Sequence, residues 1–282
     1  MKLQQFIILT RLSCCLLFAV ILIAQYAAPP KNQPHAAKFR WPQGKKAALS
    51  LTFDDARPSQ IDTGLPILDK YRVKATFYIS PENLVNRLAG WRQAVKNGHE
   101  IGNHTLTHPC TGNYAFSREN ALEDYSLDRM TREIDDATGI ILEKLGVRPT
   151  SFAYPCGQTF VGRGQDVKSY VPLVADRFLT GRGWLGEDAN DPAFCDLAQL
   201  LAMESDGKTF EQLKLIIDKA VEEGRWVIFC GHEIGKGGYQ TTPAGTMEKL
   251  CQYALDPASE IWIDTVENIG DYILKSRKNK RL

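Results

Sequence analysis

Apolar positions along this chain fall into short runs separated by longer amphipathic stretches. Residues 47–53 (Ala-Ala-Leu-Ser-Leu-Thr-Phe) form one run that stops abruptly at Asp54-Asp55. Residues 73–79 are β-branched and aromatic, as in a buried strand. Further strands are predicted over 99–103, 151–154, 225–231 and 260–263, with Pro155 closing the fourth of the six. Helical spacing covers 61–71, 83–97, 117–145, 210–223, 243–255 and 266–275, and Gly98, Gly146 and Gly224 stand as C-terminal stops. The stretch 117–145 reads as one long helix or two pieces, and its start is not fixed, because Ser117 and Asn120 do not make a capping box. Residues 156–207 are irregular, with Gly162-Arg163-Gly164 and Gly181-Arg182-Gly183 as turns. Strands that alternate with helices imply parallel pairing, since parallel neighbours need a crossover. The pattern therefore predicts one α/β domain, barrel-like, with no repeat of fixed period.

The N-terminus breaks that pattern. Lys2 and Arg11 precede an uncharged apolar run over 12–24, then Gln25-Tyr26-Ala27-Ala28 and Pro29-Pro30. This reads as a signal peptide or N-terminal anchor over 1–28, so the protein is expected to be exported: secreted, periplasmic or held at the cell envelope. The run is short for a simple membrane span. A proline-rich linker is read over 29–45, a catalytic domain over 46–276 and a basic tail over 277–282. Beyond residue 28 the chain carries 32 basic and 33 acidic residues, which gives no electrostatic reason to expect nucleic acid. A membrane partner is expected only through the N-terminal segment. Five cysteines follow the leader and none forms a Cys-x-x-Cys pair, so a cysteine zinc site is not expected. Cys156 and Cys195 flank the irregular stretch and are one pair that could staple it, although the spacing leaves the pairing of the five cysteines open.

Chemistry concentrates at strand ends. Asp54-Asp55, His104 and His108, Tyr154-Pro155 and His232 each lie at or just past the C-terminal end of a predicted strand, the end that carries the active site in α/β barrels. Within His104-Thr105-Leu106-Thr107-His108 the two imidazoles are four positions apart, which on a helical turn would put both on one face. A carboxylate from another strand end would complete three protein ligands and leave a position for water. Adjacent carboxylates at Asp54-Asp55 point apart, so one can bind metal while its neighbour accepts a proton. His99-Glu100 and His232-Glu233 both lack the second His of a zincin motif, and no Gly-x-Ser-x-Gly or Gly-x-Gly-x-x-Gly occurs where it would matter.

Thr52-Phe53-Asp54-Asp55, followed by Gly98-His99-Glu100-Ile101-Gly102-Asn103 and His104-Thr105-Leu106-Thr107-His108, resembles the first two motifs of the polysaccharide deacetylases of carbohydrate esterase family four. Phe152-Ala153-Tyr154-Pro155-Cys156-Gly157 and Phe229-Cys230-Gly231-His232 are similar to later motifs, and the resemblance runs from about Lys46 to Ile273. It implies a distorted (β/α) barrel of seven parallel strands. It further implies Asp54 as general base, His232 as general acid, and Asp55, His104 and His108 as ligands of one divalent metal, Zn2+ first, with Co2+ or Ni2+ as alternatives. The Cys156 N–H falls at the oxyanion position, and Tyr154, Pro155 and Trp184 are expected to contact substrate. The family commonly places Arg where this chain has Ala153, and Tyr where it has Cys156; Arg163 and Arg182 are the candidates to supply the missing cation.

The partner implied is an acetylated poly- or oligosaccharide. N-deacetylation of an N-acetylated glycan is the favoured reaction, with O-acetyl ester hydrolysis on xylan or another polysaccharide as the alternative. Hydrolysis of a small cyclic amide is a third possibility within the fold. A non-catalytic glycan-binding module is the competing reading of a different class, motivated by Ala153. His99 is expected to make a structural hydrogen bond and Trp262 to be core. Phe194 joins Trp184 as a sugar-stacking candidate, and residues 157–207 are expected to set the substrate.

Overall fold

The computed structural model describes residues 39–279, and the predicted leader lies outside them. Twelve strands are assigned among the described residues. In chain order, β1 is Ala47–Asp54, β2 Thr76–Ile79, β3 Glu100–Asn103, β4 Ser151–Ala153, β5 Phe160–Val161 and β6 Lys168–Ser169. They continue as β7 Thr180–Arg182, β8 Met203–Glu204, β9 Trp226–Gly231, β10 Glu233–Gly235, β11 Thr241–Pro243 and β12 Ile261–Ile263. The helices are α1 Leu65–Tyr71, α2 Leu88–Lys96, α3 Leu127–Leu145, α4 Val171–Arg177, α5 Phe210–Glu223, α6 Ala244–Leu255 and α7 Val266–Asn279. Among the described residues no helix is long and apolar enough to cross a membrane.

Seven strands run side by side in the order β7-β4-β3-β2-β1-β9-β8, all parallel. The chain from Leu200 to Glu204 closes the ring: Leu200 bridges Arg182 on one side, and Met203 pairs with Phe229 on the other. The result is the seven-stranded distorted barrel expected. β12 pairs with the first half of β1 (Ala48 opposite Trp262), and β2 takes the second half (Phe53 opposite Phe77).

Side chains of β1 alternate, as a strand requires. Ala47, Leu49, Leu51 and Phe53 join Phe77, Phe229 and the inner faces of α1, α2, α3, α5 and α6 in the largest core cluster. The other face of β1 turns to the barrel interior, where Ala48 packs with Trp226, Ile228 and the α7 residues Val266, Ile269 and Ile273. Higher in the barrel that lining becomes polar (Ser50, Thr52, Asp54), so the interior runs from an apolar floor to a charged mouth.

Three elements differ from the sequence reading. Residues 39–45 are packed rather than spacer. Trp41 is 4% exposed, donates its indole N–H to the Gly224 carbonyl (3.1 Å) and stacks on Tyr272 (6.3 Å between ring centroids). The stretch 117–145 is short 3-10 turns followed by α3, whose start is set by Ser126 accepting from the Arg129 N–H. The irregular stretch contributes two barrel strands, β7 and β8, of three and two residues. Trp262, expected to be core, is half-buried and packs with Trp41 and Tyr272 against the core. His99 Nδ1 accepts from the Ala75 N–H (3.2 Å) and its Nε2 meets Asp69 (3.3 Å), the structural role anticipated.

Candidate active site

The loops after β1 and β3 bring three ligand-type side chains together. Asp55 Oδ1 lies 3.6 Å from His104 Nε2 and 3.7 Å from His108 Nε2, and all three ligand atoms fall within 4.8 Å of one another. A tetrahedral ion with bonds of about 2.1 Å holds its ligand atoms roughly 3.4 Å apart, so this donor set fits one divalent metal with little movement. The ring tautomers are consistent with that use. His104 Nδ1 faces the Ala153 carbonyl at 2.8 Å, which leaves Nε2 unprotonated toward Asp55.

The convergence is not helical, contrary to the sequence reading. Thr105 and His108 adopt left-handed backbone (φ 63° and 51°), and so does Asp55 (φ 71°). Non-glycine residues in that region cost on the order of 1–3 kcal/mol each, so the surroundings must hold them. For the histidine loop the grip is Glu133 on α3. Its Oε2 accepts from the backbone N–H groups of Leu106 (3.1 Å) and Thr107 (2.8 Å), and its Oε1 accepts from the Thr107 and Tyr125 hydroxyls. Glu133→Gln replaces one accepting oxygen with a donor, and is expected to weaken divalent-ion binding about 10- to 100-fold with the fold intact. Competition against a chelating dye measures this, and unchanged affinity would remove Glu133 from the site.

Electrostatics set the protonation states. Burial alone would raise the Asp55 carboxyl, but His104, His108, His232 and Arg57 outweigh it and hold its pKa at about 2. Burial, reinforced by His104, pushes His108 down to about 4, so its ring is neutral near pH 7. A carboxylate and a neutral imidazole are the forms that bind metal.

Asp54, the last residue of β1, has a different environment. It is buried, and one of its oxygens, Oδ1, is paired with Arg182 from β7. Arg182 is fully buried, stacks over the Tyr78 ring (4.6 Å) and donates to the Gly183 carbonyl (3.1 Å). Its Cα stands opposite that of Ala153 in the β4–β7 pairing. The cation missing at position 153 thus arrives from the adjacent strand at the same level of the sheet. Arg163, the other candidate, pairs with Asp124 on the surface.

His232 follows β9 and is fixed by Asp206, whose Oδ2 lies 2.8 Å from His232 Nδ1 and whose Oδ1 accepts from Thr242 (2.9 Å). Gly231 makes room for this, since a Cβ there would lie 2.8 Å from Asp206 Oδ1. Burial disfavours the charged ring, but the Asp206 hydrogen bond and the carboxylates of Asp54, Asp55 and Asp206 more than offset it, so the His232 pKa is raised above its ordinary value. Trp184 sets its ring edge-on against His232 (4.8 Å). Gln60, in a one-turn π-helix after β1, donates to the carbonyls of both Asp54 (2.6 Å) and His232 (2.8 Å) and ties the two halves of the mouth together.

A groove of about 530 Å3 opens beside the metal-triad side of this constellation. It is lined by Asp55, His108 and Cys156, by the polar side chains of Arg57, Asn83 and Asn120, and by the exposed aromatics Phe116 and Tyr239. Cys156 is disulfide-bonded to Cys110, not to Cys195, which is a free thiol. Tyr154 and Pro155 are buried, and the Tyr154 hydroxyl donates to the Ala198 carbonyl (2.8 Å). They form wall behind the site instead of reaching toward substrate. Phe194 is 90% exposed and is not among the groove residues.

Sequence reasoning missed Asp206, Gln60 and Glu133. Asp206 follows a strand of only two residues, so nothing marked it as a strand-end residue.

The family model described as polysaccharide deacetylase matches residues 42–169. Gellan lyase from a Bacillus species is 29% identical over 168 residues, which is 59% of this chain and 6% of that protein. The peptidoglycan-N-acetylmuramic acid deacetylase PdaC of Bacillus subtilis is 28% identical over 170 residues, 57% of this chain and 31% of that protein. The matched stretch is thus under a third of either relative's own length. A Mycobacterium smegmatis structure described as a polysaccharide deacetylase superimposes with a TM-score of 0.63 at 16% identity, covering 86% of this chain and 95% of that one, a likeness of fold.

Proposed function

We propose, for a chain that belongs over residues 42–169 to the polysaccharide deacetylase family, that it is an exported, metal-dependent hydrolase removing acetyl groups from an N-acetylated glycan. The observation that carries this reading is the meeting of two sets at one mouth: Asp55, His104 and His108 as a metal triad, and Asp54–Arg182 with His232–Asp206 as a base and an acid. A divalent cation held by the triad, Zn2+ first, supplies Lewis-acid polarisation and acidifies water.

The protein's own groups account for the rest. Arg182 orients Asp54 through Oδ1, so Oδ2 is the oxygen that takes a proton from the attacking water. The Cys156 N–H donates to the oxygen that becomes negative as the carbonyl is attacked. Asp206 holds His232 Nδ1, and Nε2 delivers a proton to the departing nitrogen. An amine leaves as the neutral species only if protonated, whereas an alkoxide depends on this less. The buried His232–Asp206 pair therefore favours an amide substrate over an acetyl ester. PdaC, a peptidoglycan deacetylase by name, points the same way. The Arg182–Asp54 pair favours turnover over a binding module, and the disulfide fits an oxidising compartment and hence export.

Acetate release from N-acetylated and O-acetylated glycans in parallel tests the proposal. The expected result is release from the acetamido substrates, abolished by a chelator and restored by Zn2+ or Co2+. No release from any N-acetylated glycan at full metal loading would sink it. The pH profile adds a second check. A raised His232 pKa keeps the acid protonated to higher pH, so Asp206→Asn is expected to move the alkaline limb of kcat downward in pH. A limb that stays in place would assign the proton donor elsewhere.

A further inference from the structure

We propose that the Cys110–Cys156 disulfide is a positioning element of the active site, without which turnover falls although metal stays bound. The inference rests on the deacetylase reading and concerns how the oxyanion turn is held.

Cys156 has left-handed backbone (φ 53°), which a residue with a side chain keeps only under constraint. On one side the constraint is the disulfide, which runs to Cys110, two residues beyond His108 in the same loop. On the other side it is Trp184. Gly157 sits so close that a Cβ there would lie 2.8 Å from the Trp184 backbone nitrogen, and the Trp184 ring abuts His232. The turn is therefore clamped between the loop that carries a metal ligand and the tryptophan that backs the proton donor.

The two ends of the disulfide are not equally dependent on it. The histidine loop has independent support from Glu133, and the Cys110 backbone exchanges hydrogen bonds with the Ser117 hydroxyl (2.9 and 2.8 Å). The Cys156 turn has the Gly157 N–H to Tyr154 carbonyl bond (2.8 Å), the packing of Trp184, and Gln158. Gln158 donates to the Pro155 carbonyl (3.0 Å) and accepts from the Thr111 N–H (2.7 Å) and the Tyr170 hydroxyl (2.6 Å). All of these hold the residues on either side of Cys156, and the disulfide holds Cys156 itself. Loss of the cross-link should leave the metal triad in place and release the amide, which predicts a fall in kcat at constant metal content.

Cys156 lines the groove, whereas Cys110 is fully buried, so a small thiol reaches the Cys156 sulfur first. Its thiolate breaks the S–S bond and forms a mixed disulfide with Cys156, and Cys110 leaves as a thiolate that takes up a proton. A second thiol then releases Cys156 as a thiol, and the small molecule departs as its own disulfide.

The test compares wild type in oxidised and reduced glutathione buffers with the Cys110→Ser/Cys156→Ser variant, recording kcat, KM, bound zinc and the thermal melt. Removal of one oxyanion donor costs roughly 100- to 1,000-fold in kcat. Loosening its support is expected to cost about 10-fold or more, with KM within about 3-fold, one zinc per chain and recovery on reoxidation. The same buffers should not move the double-serine variant, which separates disulfide reduction from metal stripping by thiol. Unchanged kcat in reduced wild type, or zinc lost in step with activity, overturns the inference. If the double-serine variant does not fold, reduction and reoxidation of folded wild type, with thiols counted and zinc measured, decide it on the same two criteria. Oxidised protein that releases no acetate overturns the deacetylase reading instead.

Discussion

Asp54→Ala is expected to abolish turnover while one divalent ion per chain remains, whereas His104→Ala is expected to lose both. The contrast follows from the two environments at the end of β1. Asp55 faces His104 and His108, while Asp54 is paired with Arg182 and lies farther off, its Oδ2 3.9 Å from His104 Nε2. Removing the base should cost about 100- to 10,000-fold in kcat, and because it leaves the buried Arg182 guanidinium unpaired it should lower the melting temperature as well. Removing His104 leaves Asp55 and His108, two ligands where a catalytic zinc site usually has three. Metal analysis beside single-turnover acetate release separates the cases. Near-normal rates in Asp54→Ala would overturn the base assignment, and full metal occupancy in His104→Ala would overturn the triad.

That site was legible in the sequence to the extent that its residues followed strong strands. β1 and β9 are strands of eight and six residues built mostly from apolar side chains, and the polar residues that end or follow them, Asp54-Asp55 and His232, stood out. The histidine pair was legible as chemistry but not as geometry. Spacing of four suggests a helical turn, and the structure reaches the same convergence with left-handed residues held by Glu133, a tertiary contact from α3 that no local pattern encodes. β7 and β8 were not legible. Strands of three and two residues are too short to show alternation, and the glycines in and beside β7 read as a turn. Arg182 and Asp206, which orient the base and the acid, sit on or just after those strands. The disulfide depended on topology as well. Cys110 and Cys156 are 46 residues apart, and only the adjacency of β3 and β4 makes them neighbours.

Removing Arg182 should lower stability as well as rate. Its guanidinium is fully buried and is the cation paired with the buried Asp54 carboxylate. Arg182→Met fills much of the volume but leaves that carboxylate without its counter-charge, and breaking a buried pair from one side costs about 3–5 kcal/mol. Against a total stability on the order of 5–15 kcal/mol, the melting temperature should fall by roughly 10 °C. The rate should fall too, since Asp54 is then free to turn. A second substitution distinguishes lost orientation from general damage. Ala153 is buried directly opposite Arg182 in the β4–β7 register, and the contact of His104 with residue 153 is to its backbone carbonyl, which substitution preserves. Ala153→Arg in the Arg182→Met background would bring a guanidinium to Asp54 from the adjacent strand. It is expected to recover at least 10-fold of the lost kcat and part of the melting temperature, whereas Ala153→Arg alone should be harmful, because it buries a second guanidinium with one carboxylate facing two positive charges. An Arg182→Met variant with wild-type kcat and melting temperature would show that Asp54 needs no cation, and the case for a base arginine carried on β7 would fall with it.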